Sequence, residues 1–173
     1  MKKTLQITYT AVLTGMLVLL QSATKAGGQF VTGSCVNAVL AIGALFTGVW
    51  TGVAVAVISP FFAFMLGIGP QIIAIVPAIA VGNVIYVLVL HFLCSQKNIP
   101  FWRQGIGLLC SAACKFVALY LIVVQVLCRS LPLAEKQIAA FTTMFSWPQL
   151  ITALIGGGIA LMIVPILCKA YRR

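Results

Sequence analysis

Long apolar runs, each ended by a cation, a glycine or a proline, occupy most of this 173-residue chain. The first starts after Lys2 and Lys3, near Leu5, and reaches Leu20, long enough for a short membrane span. The second stays apolar from Val31 to about Ile68, too far for one crossing. It must bend, and Gly48-Val49-Trp50-Thr51-Gly52 is the place, because glycine accepts turns that other residues resist. Helices are therefore predicted over residues 4–20, 32–48 and 52–67. Leu66-Gly67-Ile68-Gly69-Pro70 closes the third, and Pro70 opens a fourth over residues 70–93. A polar connection follows, then a fifth helix over residues 105–127 and a sixth over 147–167.

Residues 129–146, between the last two helices, carry a different pattern. Pro132 starts a short helix, with Glu135, Lys136 and Gln137 on a wet face. Ile138, Phe141, Met144 and Phe145 fall at helical spacing and form an apolar face. This is the signature of a segment lying at an interface. No fixed-period repeat or low-complexity tract breaks the pattern. The expected architecture is a single all-α integral membrane domain over residues 1–173, a compact bundle of six transmembrane helices.

Residues 1–26 also carry parts of a secretion signal: two lysines, an apolar stretch from Ala11 to Leu20, and small residues up to Ala26. Thr24-Lys25-Ala26 is only an approximate cleavage site, and the apolar run begins early. A retained first helix is the reading adopted.

Composition supports lipid as the solvent. Hydrophobic residues make up 62% of the chain and charged residues 7%, against about 25% charged in soluble domains. Eleven Lys and Arg face one acid, Glu135. They sit singly or in pairs at the ends of apolar runs rather than on a basic face, which argues against nucleic acid. With both termini cytoplasmic, the inner segments hold Lys2, Lys3, Lys97, Arg103, Lys169, Arg172 and Arg173. The outer ones hold Lys25, Arg129 and Lys136. The bias obeys the positive-inside rule, and an even helix count follows from two basic ends on one side. The six cysteines read mainly as small hydrophobes, and only Cys35 and Cys128 fall near the outer face, where a bridge is conceivable.

Lys115 is the most informative position. It falls near the middle of the fifth helix, where a cation costs at least about 2.5–3.5 kcal/mol to insert. Gly107, Ser111 and Ala118 share its face, so the lysine points into the bundle rather than to lipid. It is either a ligand contact or a lysine satisfied by carbonyls or by snorkelling along its stem. Asn83 at mid-depth in the fourth helix and Asn37 in the second offer the same choice between ligand and helix–helix hydrogen bond. Gln29, Thr32, Ser34 and Gln71 cluster at outer helix ends, where they line a mouth or meet water. Ala11 and Gly15 make a small-x-x-x-small pair that lets another helix approach closely. Gly156, Gly157 and Gly158 interrupt the last helix, Pro60 and Pro77 are candidate kinks, and His91 is interfacial.

The absences narrow the function. There is no G-x-x-x-x-G-K-[ST] phosphate loop, no metal-ligand constellation, no membrane-depth acid for ion coupling and no acid–base couple. No cofactor is called for. If solute moves through this chain, its energy comes from elsewhere.

The segments Gly33-Ser34-Cys35-Val36-Asn37, Ser59-Pro60-Phe61, Leu66-Gly67-Ile68-Gly69-Pro70, Val76-Pro77, Gly82-Asn83 and Lys115-Phe116-Val117-Ala118-Leu119-Tyr120 follow one another in an order that resembles the substrate-binding S components of energy-coupling factor (ECF) vitamin transporters. The resemblance runs from the first helix to the sixth. It implies a six-helix subunit in the plasma membrane of a prokaryote that captures a vitamin or related micronutrient from outside. It also implies partnership with a transmembrane scaffold subunit and two cytoplasmic ATPases, with toppling in the membrane carrying substrate inward. Small residues of the first helix would dock on the scaffold, which Ala11 and Gly15 match, with glycine in place of the more usual second alanine. Outer loops, here residues 21–31, 67–71 and 129–146, would close over the ligand. Substrate-binding candidates are Lys115, Asn83, Asn37, Gln71 and Gln29. The start Met1-Lys2-Lys3 lacks the Met-His of nickel and cobalt members, and the lack of carboxylates argues against a cationic vitamin. Lys25 and Lys115 instead tilt the expectation toward a neutral or anionic ligand, such as pantothenate, folate, riboflavin or a cobalamin precursor. Two competing classes are an assembly or scaffold protein whose polar residues only pack helices, and a small membrane enzyme.

Overall fold

The computed structural model describes residues 3–96 and 99–171. Met1 and the cations Lys2, Lys97, Arg172 and Arg173, used in the inside–outside count, lie outside the described residues. Helix α1 covers Lys3–Thr24 and α2 covers Gly28–Ile42, continued by a π-helical stretch over Gly43–Thr47; α3 covers Val49–Met65. One 3-10 turn, Lys25–Gly27, joins α1 to α2, and another, Ile73–Ile75, leads into α4, Val76–Cys94. Helix α5 covers Phe101–Leu119 and runs on as a π-helical stretch, Tyr120–Leu127, into the short α6, Cys128–Ser130. Then come α7, Glu135–Met144, and α8, Trp147–Tyr171. There is no strand among the described residues. An all-helical chain is what lipid demands, since a helix satisfies its backbone groups within one segment.

Four helical runs are long and apolar enough to cross a membrane: Lys3–Thr47, Ile73–Cys94, Phe101–Ser130 and Glu135–Tyr171. The first folds back on itself, with α1 packed against α2. Val49–Met65 is a shorter apolar helix. The helices close into a ring in which α1 packs on α2, α2 on α8, α8 on α5, α5 on α4, α4 on α3 and α3 back on α1.

Local chemistry explains the breaks. Gly48, between α2 and α3, has φ 102°, which disfavours any side chain. On its N-terminal side the Thr47 hydroxyl donates to the Gly43 carbonyl at 2.8 Å, and His91 Nδ1 donates to the Ala44 carbonyl at 2.7 Å, satisfying oxygens where the α pattern widens. Pro70 stays in the irregular segment after α3, so it does not open α4. That helix begins at Val76 with Pro77 in its first turn, where a missing N–H does no harm and causes no kink. Nor do Gly156, Gly157 and Gly158 interrupt the last helix, because α8 is continuous across them. Two of the three make close approach possible. A Cβ on Gly156 would meet the backbone of α2 at Ser34 and Ala38, and one on Gly157 would meet Leu108 and the Tyr86 hydroxyl.

The main core joins Leu17, Leu40, Val55, Tyr86, Leu90 and Ala153. A second cluster, with Ile75, Leu119, Val123, Phe141 and Phe145, seats α7 over the ends of α4 and α5. The short helix thus buries Phe141 while Glu135, Lys136 and Gln137 face outward. The Gln137 side chain accepts from the Ala134 N–H at 3.1 Å, capping its first turn. Cys35 and Cys128 are both free thiols.

Candidate functional site

Lys115 is 3% exposed, on the face of α5 that also buries Ser111 and Ala112. Its ammonium donates to Asn37 Oδ1 at 2.6 Å and to Asn83 Oδ1 at 2.7 Å. Nζ also lies 5.4 Å from the centre of the Tyr86 ring, within reach of a cation–π attraction. The amide oxygens replace the water that burial removes. No carboxylate takes part: Glu135 is the only acid in the chain, and it is exposed on α7. The amino group is hydrogen-bonded but faces no counter-charge.

The network extends to the ring's other side. Asn37 Nδ2 donates to Thr152 Oγ1 at 3.3 Å, and Thr152 donates to the Gln149 carbonyl at 3.3 Å. Tyr86 donates to the Ala153 carbonyl at 3.0 Å. These bonds tie α2, α4, α5 and α8 together at one depth. Asn37 is used at both ends of its amide, whereas Asn83 Nδ2 makes no hydrogen bond among the described residues.

Above this network lies a cavity of about 250 Å³ whose lining includes Lys115, Asn37 and Asn83. Its walls are largely apolar, with Val36, Pro60, Phe64, Ile79 and Phe145 among them. Gln21 Oε1 and Ser59 Oγ belong to lining residues, are buried, and have no hydrogen-bond partner. Lys25 and Thr32 also line it, Lys25 from an exposed position. The cavity sits where α1 ends, α2 begins, α3 ends and α4 and α8 begin, beneath α7.

Of the residues singled out in the sequence, Lys115, Asn83 and Asn37 come together at hydrogen-bond distance. Gln29 lines the same cavity and donates to the Met144 carbonyl at 2.5 Å. Gln149 Nε2 reaches that same carbonyl at 3.2 Å. Gln71 is not brought in: it is exposed and bonds the Gly69 carbonyl at 3.3 Å, because the irregular segment after α3 turns it outward. Ala11 and Gly15 are exposed on α1 and line a separate groove with Trp50, Ala54, Ile58 and Phe62 of α3.

Sequence reading missed Gln21, Ser59 and Gln149. A signal existed for the first two. Leu13, Leu17 and Gln21 recur every four residues and are all buried. Ser59 continues the buried face of Gly52, Val55 and Ala56. Gln149 had none, standing one residue after a proline at a helix start.

The family model for the substrate-specific component of ECF transporters matches residues 5–168. No curated protein and no solved structure matches the chain.

Proposed function

The chain belongs to the substrate-specific components of ECF transporters, and from that premise we propose that its cavity captures a water-soluble vitamin or related micronutrient, neutral or anionic, for an ATP-driven importer. Membership makes it a membrane-embedded substrate-binding subunit rather than a catalyst, and implies partnership with ECF scaffold and ATPase subunits. Under this proposal α1 to α5 and α8 are six crossings of one domain in a prokaryotic plasma membrane, with both termini cytoplasmic. ATP is hydrolysed by the partners, and the cavity opens outward.

One observation carries the reading. A buried lysine without an acid partner is held by two asparagines at the floor of a cavity that is otherwise mostly apolar. Intramembrane charge marks functional sites by default, and apolar walls with a few convergent polar groups are the usual make-up of a small-molecule pocket. Lys115, Asn83 and Asn37 form the floor and Gln29 the rim. Ala11 and Gly15, small and exposed on α1, form the docking stripe for the scaffold.

Native mass spectrometry of the purified chain with a pool of B-vitamins tests the proposal. A vitamin-sized adduct that survives mild activation is expected. A folded protein that takes up nothing from the pool would sink the vitamin reading and favour a packing role for the polar residues.

A further inference from the structure

Resting on the capture reading above, we infer that the ligand is a compact monocarboxylate, bound acid-first, whose carboxylate is held by Lys115 and Asn83 and whose body is apolar with at least one N–H or O–H group. The chemistry of the floor points there. An ammonium has three donors, and Asn37 and Asn83 occupy two of them. The third is left for a ligand. Asn83 Nδ2 is a further free donor, one amide group away from the oxygen that Lys115 already holds. Two neighbouring donors beside a positive charge match the two oxygens of a carboxylate.

The charge count sets the valence. Lys115 is the buried cation of the cavity and has no acid partner, so a single negative charge completes an ion pair that the protein leaves half made. Lys25, the other cation in the lining, is exposed and already solvated by water. A second negative charge on the ligand would face apolar walls. A neutral ligand would leave Lys115 without the counter-charge that a carboxylate supplies.

The rest of the lining describes the rest of the molecule. Pro60, Phe64, Ile79 and Phe145 offer apolar surface. Gln21 Oε1 is a buried acceptor with no donor, and Ser59 Oγ is a buried hydroxyl with no partner. An N–H or O–H on the ligand would satisfy the first of these. At about 250 Å³, the space lies just below the range of about 300–1,000 Å³ usual for drug-sized ligands, so the molecule is small.

Matched pairs that differ only at the acid test the inference. The purified full-length chain in nanodiscs is titrated calorimetrically with pantothenate and pantothenol, and with biotin and biotinamide. Uncharged riboflavin and cationic thiamin complete the panel. At least one acid should bind at least tenfold more tightly than its uncharged partner, and Lys115→Gln should level the pair. Equal or tighter binding of the uncharged partner overturns the carboxylate assignment. Binding of riboflavin or thiamin alone overturns it too, while leaving capture intact. A protein with an unchanged melting profile that binds none of the panel removes the capture reading, and this inference with it.

Discussion

Asn37 and Lys115, 78 positions apart in the chain, meet at 2.6 Å in the middle of the bundle. The asparagine grips the ammonium with its oxygen and Thr152 with its nitrogen. It therefore positions the lysine, whereas Asn83, bonded at one end only, keeps a donor free.

Lys115→Ala removes the ammonium and leaves two buried amide oxygens without a donor. Hydrogen bonds to charged groups are worth about 1.5–3 kcal/mol, so ligand affinity should fall by about 10–100-fold, with a lower melting temperature. Calorimetry and thermal unfolding in detergent measure both. Full affinity in the variant would reduce Lys115 to a packing residue.

Asn83→Asp should separate stability from binding. It places a carboxylate against Lys115 and turns the hydrogen bond into an ion pair, so the fold should keep or raise its melting temperature. An anionic ligand should bind more weakly, by at least about tenfold, because its counter-charge is already taken. Unchanged anion affinity would argue against a role for this charge.

Gly156→Ala should destabilise by about 1–3 kcal/mol, the usual penalty for overpacking. The added Cβ would meet the Ala38 nitrogen at 2.6 Å and Asn37 Cβ at 2.7 Å. Two residues along, nothing lies within 4 Å of the same atom at Gly158. Gly158→Ala is the control and should leave the melting curve unmoved. A similar drop in both variants would contradict the α2–α8 contact described here.

Gly15→Leu should fold and bind ligand normally, since its Cβ position is open and exposed. On the docking proposal it should lower co-purification with the scaffold subunit several-fold. Loss of ligand binding instead would show that this stripe belongs to the fold.

Gln29→Ala combined with Gln149→Ala should speed ligand release. Both side chains donate to the Met144 carbonyl at the end of α7. Affinity changes among variants of one site fall mostly in the off-rate, and stopped-flow displacement reads it directly. An unaltered off-rate would mean that α7 does not gate the cavity.

The all-helical membrane class was legible because lipid imposes it: long apolar runs with cations at their ends have few other solutions. Lys115, Asn37 and Asn83 stood out for the same reason, as polar groups where polarity is costly. Their meeting was not legible. They lie on three helices whose apolar residues face lipid and neighbours alike, so periodicity does not say which faces touch. Gln71 shows the converse weakness, because a polar residue at a helix end satisfies the same pattern whether it faces a cavity or water. Pro70 was ambiguous in a related way, since proline after glycine suits both a loop and a helix start. Gly156 and Gly157 read as an interruption because their backbone contacts are set by α2 and by Tyr86, far away in sequence.

The helix ring also has a bearing on traffic. Its staves are cross-tied at mid-height by Lys115, Asn37, Asn83 and Thr152, and above that knot the space widens towards α7. On the capture proposal, a molecule held at the knot would leave by the rim through which it came.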